Sequence, residues 1–196
     1  MDNETAPSSF DDIRQTILDE MRRTLNQVSC EEVEALVREV TGAQRVFVAG
    51  AGRSGLVMRS FAMRLAQLGL NVHVVGETTT PAVGPGDLLL IGSGSGVTER
   101  LVHYAGKAAE AGARVALATA SPASPVARIA DIVVVIPAPT PKSTKVSGDR
   151  ELRSRQPMGT LFEQSLGVML DASVMLLMAR LDETESDMFD RHANLE

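Results

Sequence analysis

Five short apolar runs, at 46–49, 72–75, 87–91, 115–119 and 132–136, alternate with segments whose apolar residues recur at helical spacing. That rhythm leaves few folds open. A run such as Val46-Phe47-Val48-Ala49, with no polar alternation, has both faces buried, as in a parallel strand covered by helices. Parallel strands need crossovers, and the helical segments between the runs supply them. The expectation is a three-layer α/β/α sandwich with a five-stranded parallel sheet, in the flavodoxin-like order 2-1-3-4-5. The chain of 196 residues has room for one such domain, so 1–196 is read as a single unit.

The flanks extend this core. Ile13, Ile17, Met21, Leu25 and Val28, then Val33, Leu36, Val37 and Val40, mark a helical segment over about 10–41. A break is expected at Ser29, which can cap the Glu31-Glu32 start, with Gly42 closing the segment. Helices are expected at 54–68 and 98–111, and a short one at 124–130. Residues 137–156 break the rhythm with Pro137, Pro139 and Pro141, then Lys142, Lys145, Arg150, Arg153 and Arg155. A loop this long reads as a lid or an interface. A last helix from 157 to 179 is apolar around most of its circumference, which implies burial in the centre or against another subunit, and a tail runs to 196.

Composition excludes several functions. Net charge is −6, which argues against nucleic acid. Cys30 is the sole cysteine, so neither an intrachain disulfide nor a thiolate zinc site can form; the scattered His73, His103 and His192 point to no metal. The acidic, polar N-terminus is unlike a secretory signal, and the apolar stretch 166–179 is interrupted by Asp171 and shorter than the ~20 residues of a membrane span. A cytoplasmic protein without membrane contact is expected.

Two glycine loops carry the chemistry. Gly50-Ala51-Gly52-Arg53-Ser54-Gly55 lies between a strand and a helix and matches G-x-G-x-x-G, with Glu77 past the second strand where a ribose-binding acid could sit. Alone, it supports a nicotinamide-dependent oxidoreductase. Ser93-Gly94-Ser95-Gly96-Val97-Thr98 closes the third strand and opens another helix. Converging backbone N–H groups, a helix N-terminus and three hydroxyls make a cup for a compact dianion such as a phosphate monoester. N-capping by Ser95 and Thr98 is the plainer reading and is compatible with it. In the order 2-1-3-4-5, Ser54 and the 93–98 loop face one crevice. Arg53 could meet a phosphate or sugar hydroxyl, or face solvent.

With these loops and five parallel strands, the chain resembles the SIS (sugar isomerase) domain family of phosphosugar binders. The segments Val75-Gly76-Glu77-Thr78-Thr79-Thr80-Pro81, Gln156-Pro157-Met158-Gly159-Thr160-Leu161-Phe162-Glu163-Gln164 and Arg191-His192-Ala193-Asn194-Leu195-Glu196 are similar to its 6-phospho-3-hexuloisomerase branch. Val97 departs from the pattern, standing where many such loops carry an acid. The resemblance implies a cofactor-independent isomerase that interconverts D-arabino-hex-3-ulose 6-phosphate and fructose 6-phosphate through an enediol, in the ribulose monophosphate pathway of formaldehyde fixation. It implies a homo-oligomer, tetramer or dimer, and a pairing with the hexulose-phosphate synthase. It implies that Gly52, Arg53, Ser54, Ser93, Gly94, Ser95, Gly96, Val97 and Thr98 bind substrate. Pattern alone reads Glu163 as an acid near a helix start; the resemblance makes it the base, with apolar neighbours to desolvate it. His192 reads as a solvated tail residue or, by the resemblance, as a second catalytic group from the same or a neighbouring subunit. A sugar-phosphate sensor without turnover, and an isomerase of another sugar phosphate, are the alternatives.

Overall fold

A computed structural model of the chain describes residues 9–139 and 154–194. The sheet is wholly parallel, with β1 (Val46–Gly50), β2 (Val72–Val74), β3 (Leu88–Gly92), β4 (Arg114–Thr119) and β5 (Ile132–Val135) in the order β2-β1-β3-β4-β5. This is the expected topology. β1 and β3 pair from Val46↔Leu88 to Gly50↔Gly92, so the two loops that follow them leave the sheet side by side.

One face of the sheet presents Val46, Val48, Leu88, Leu90, Ala116 and Val134 to α2 (Cys30–Gly42), α3 (Gly52–Gln67) and α5 (Thr160–Leu181). The other presents Phe47, Leu89, Ile91, Val115 and Leu117 to α4 (Glu99–Glu110) and the turns around Val126. α1 (Phe10–Leu25) packs on α5 rather than on the sheet. Ser29 caps α2, its side chain accepting from the Glu32 amide, where the break was expected. Gly42 is the last residue of α2 and stays out of the left-handed region, so Ala43, not a glycine, turns the chain.

Three other expectations need correction. Residues 124–130 form successive turns and not a helix. The Arg128 and Ala130 amides bond four residues back, to Ser124 and Val126, but the Ile129 amide between them bonds Val126, three back, so no continuous ladder forms. The tail contains a further short helix, α6 (Glu185–Asp190), started by a capping box in which Thr184 and Asp187 satisfy each other's amides. α5 has 22 residues, long and apolar enough to cross a membrane by length and composition, so shortness was the wrong ground for excluding a span. Its burial decides the matter: Phe162, Leu166, Leu170 and Leu177 are closed inside the core. Val168 and Met175 stay exposed on its outer side. The basic residues Lys142, Lys145, Arg150 and Arg153 lie outside the described residues.

At the other end of the strands, Arg45 and Asp87 precede β1 and β3. The guanidinium grips the carboxylate with Nε–Oδ1 at 2.9 Å and Nη2–Oδ2 at 2.6 Å, and the Gly84 amide adds a third bond. The Asp87 side chain is completely buried. The Arg45 hydrogen bonds outweigh burial and hold its carboxyl below the usual carboxylate range.

Candidate active site

The glycines of the first loop are explained by packing. A Cβ on Gly50 would lie 2.8 Å from the Gly55 Cα and 3.2 Å from the Gly92 carbonyl oxygen, so α3 could not approach β1 and β3 so closely with any larger residue. Gly52, with φ +57, opens the helix in the left-handed region. The motif therefore does structural work without a dinucleotide. Glu77, the candidate ribose acid, is held by Arg59 at 2.7 Å.

A crevice of about 320 Å³ opens at the C-terminal ends of β1 and β3, where such sheets bind ligands. It is lined by Gly52 and Ser54 from the first loop, Ser93, Gly94, Ser95 and Thr98 from the second, and Met158, Gly159, Phe162 and Glu163 from the start of α5. Three helix N-termini, those of α3, α4 and α5, meet there. Each contributes amides without intrahelical acceptors and a positive partial charge. Ser93 Oγ accepts from the Gly96 amide at 3.1 Å, which leaves its O–H to donate. Thr98 is the N-cap of α4, yet its side chain makes no capping bond, so its hydroxyl is not spent on the helix.

Gly96 and Val97 do not line the crevice. Gly96 has φ +60 and faces Ser124, whose Oγ would be 2.0 Å from an added Cβ; it shapes the loop. The Val97 side chain is turned to solvent.

Glu163, in the first turn of α5, is 17% exposed at its side chain. Its Oε2 accepts from Arg53 Nε at 2.5 Å, across the mouth of the crevice. Arg53 thus faces the carboxylate, an arrangement that no local pattern contained. The apolar neighbours expected around Glu163 are there on the helix, but a cation sits on its open side.

His192 is not in this crevice. Arg191, beside it, donates to the Gln67 carbonyl at the C-terminal end of α3 and to both oxygens of Glu183. Gly52 and the crevice are at the opposite end of that helix, ~22 Å away at 1.5 Å per residue. The His192 ring is exposed, near the Phe189 ring. His73 packs on Phe47 in the sheet, and His103 is exposed on α4.

Met158, Gly159 and Phe162 in the crevice wall, and Glu20 behind it, were missed. Met158 stands in the crevice wall with φ +58, a strained conformation for a side-chain-bearing residue, and is 79% exposed. Glu20 on α1 is 4% exposed and supports the segment before it: its carboxylate accepts from Ser154 Oγ at 2.6 Å, the Arg155 amide at 2.8 Å and Gln156 Nε2 at 3.0 Å. Burial pushes the Glu20 carboxyl up, but these bonds and Arg23 hold it below the usual range. The signal for Glu20 was its place one helical turn after the apolar Ile17.

The SIS domain model matches residues 39–150. The chain is 48% identical over 180 residues to the 3-hexulose-6-phosphate isomerase of Mycobacterium gastri, covering 92% of this chain and 88% of that protein. It is 42% identical over 180 residues to the protein of the same name from Bacillus subtilis, covering 92% and 95%. A solved structure of a Methanococcus jannaschii protein, from which a function of 3-hexulose-6-phosphate isomerase was inferred, superposes with TM-score 0.80 at 30% identity over 94% of this chain and 99% of that one.

Proposed function

The chain belongs to the SIS domain family, and from that premise we propose that it interconverts 3-hexulose 6-phosphate and fructose 6-phosphate. The observation that carries the reading is the meeting of a hydroxyl- and amide-lined cup with Glu163 in one crevice. A cup alone would suit a sensor; a carboxylate beside it gives the means for turnover.

The substrate is suited to so small a set of groups. With its carbonyl at carbon 3 and oxygen 6 esterified, the hexulose closes no five- or six-membered ring and stays open-chain. Ser54, Ser93, Ser95, Thr98 and the three helix starts would hold the phosphate, and that remote binding fixes carbons 2 and 3 against Glu163. Glu163 would remove the proton from carbon 2, giving an enediol, and return it to carbon 3. The oxygen proton must move from one hydroxyl to the next, and fructose 6-phosphate must open its ring in reverse. We assign that work to His192 of a second subunit, because its own crevice is a helix length away. The exposed Val168 and Met175 on α5 are suited to such an assembly, which we take to be a dimer or tetramer.

Residues 1–196 would form one unit, since α1 and α5 pack together on either side of the matched stretch in sequence. A cytoplasmic location, a place in formaldehyde fixation and pairing with the synthase that makes the hexulose phosphate complete the proposal. The test is incubation of the purified chain with 3-hexulose 6-phosphate and coupled detection of fructose 6-phosphate. No product, with the protein folded, would overturn it.

A further inference from the structure

Among the described residues, Glu163 is the only charged side chain lining the crevice, and its charge is negative where a phosphate dianion has to enter. Arg53 offsets it. Arg53 is the second residue of α3, next to Ser54, and its side chain is 65% exposed, so it can swing without disturbing the core. The guanidinium holds at 2.5 Å a carboxylate that lines the crevice, and Arg53 directly precedes Ser54, which lines the cup where an anion would sit. A phosphate dianion carries more charge than a carboxylate and offers a matching pair of oxygens to the guanidinium fork.

We propose that Arg53 changes partners during binding, leaving Glu163 for the substrate phosphate, so that the base is released only when substrate is in place. This rests on the reading of the crevice as a phosphosugar site. In the free protein the ion pair keeps the carboxylate occupied. In the complex the same cation tightens the phosphate, and the carboxylate is left facing the carbon it must deprotonate. No covalent bond changes; one charge-assisted hydrogen bond is exchanged for another.

The exchange has a thermodynamic signature that turnover does not supply. If Arg53 must break from Glu163 to reach phosphate, then Glu163→Gln frees it and tightens phosphate binding. The experiment is calorimetric titration of inorganic phosphate into wild type, Glu163→Gln, Arg53→Met and the double variant, each checked for its fold by circular dichroism. Arg53→Gln takes the place of Arg53→Met if the latter does not fold. The expected result is that Glu163→Gln binds phosphate about fivefold or more tightly than wild type, a coupling at the lower end of the usual range. That gain should vanish when Arg53 is also replaced. An equal gain in both backgrounds would mean that only a repelling charge was removed, and would overturn the exchange. No gain, or no phosphate binding at all, would overturn it too. The isomerase reading fails separately, by absence of turnover with 3-hexulose 6-phosphate.

Discussion

Arg191 donates to the backbone carbonyl of Gln67 at 3.0 Å and so moors the C-terminal tail at the end of α3 remote from the crevice. The position of His192 follows from that one bond. If His192 takes part in the reaction, it does so in a neighbouring subunit. Mixing Glu163→Gln with His192→Ala subunits should then recover part of the activity lost in each, because some crevices would combine an intact Glu163 with an intact His192. Assays after verified subunit exchange read this out; no recovery would remove the shared site.

The role of His192 also separates by direction. The open-chain hexulose needs no ring opening, whereas fructose 6-phosphate does. A residue that only opens the ring should, as His192→Ala, slow the reaction from fructose 6-phosphate far more than the initial rate from the hexulose. A residue that moves the oxygen proton should slow both alike.

Glu163→Gln keeps the shape of the side chain and its place on α5 but cannot carry a proton. Its kcat should fall by about 10² or more, without loss of phosphosugar affinity, and solvent deuterium should stop entering fructose 6-phosphate. Turnover within a few-fold of wild type would reduce Glu163 to a helix-start residue.

For the cup, Ser95→Ala should raise KM by the loss of a hydrogen bond to a charged group, ~1.5–3 kcal/mol, with the fold intact. Ser93→Ala should do the same and also destabilise the loop, since Ser93 Oγ holds the Gly96 amide. Competition by inorganic phosphate measures the first effect and denaturant titration the second. An unchanged KM in the double variant would take the phosphate elsewhere.

Asp87→Asn should lower stability, because it removes the charge from a buried carboxylate that Arg45 holds through two hydrogen bonds. The acid behaviour fixes the sign. Arg45 holds the Asp87 carboxyl below its ordinary value. The stabilisation is therefore complete above the unfolded value near 4 and lost as pH falls through the lower folded one. Denaturant midpoints measured from pH 6 to pH 2.5 should fall more steeply for wild type than for the variant.

How much of this was legible in the chain depends on how far each contact reaches along it. Val46 to Ala49 could be read as a buried strand from four adjacent residues, and Ser29 as a cap from its neighbours. The sheet order was expected as one of the common doubly wound arrangements, and the site from the switch point between β1 and β3 that this order creates. Gly50 and Gly55 were legible as glycines but not for their reason, a close backbone approach. The Arg53–Glu163 pair spans 110 positions and the Glu20 bonds span 134 to 136, so no local pattern held them. The turns at 124–130 misled because helical spacing was present while the Ile129 amide, bonded three residues back, broke the ladder.

The position of α5 in the sequence sets an order in time. Leu161, Phe162, Leu166, Met169, Leu170, Val174 and Leu177 complete the core on one face of the sheet, and they are made after every strand. A chain still on the ribosome at residue 150 has all five strands and lacks the helix that seals that face. Until α5 emerges, the sides of α2 and α3 that pack on it are bare, and that apolar surface is open to aggregation. The same late helix brings Glu163, so the carboxylate proposed as the base and a closed core arrive together. A chain stopped before Thr160 should scatter light and bind an apolar dye, rather than persist as an inactive but folded sheet.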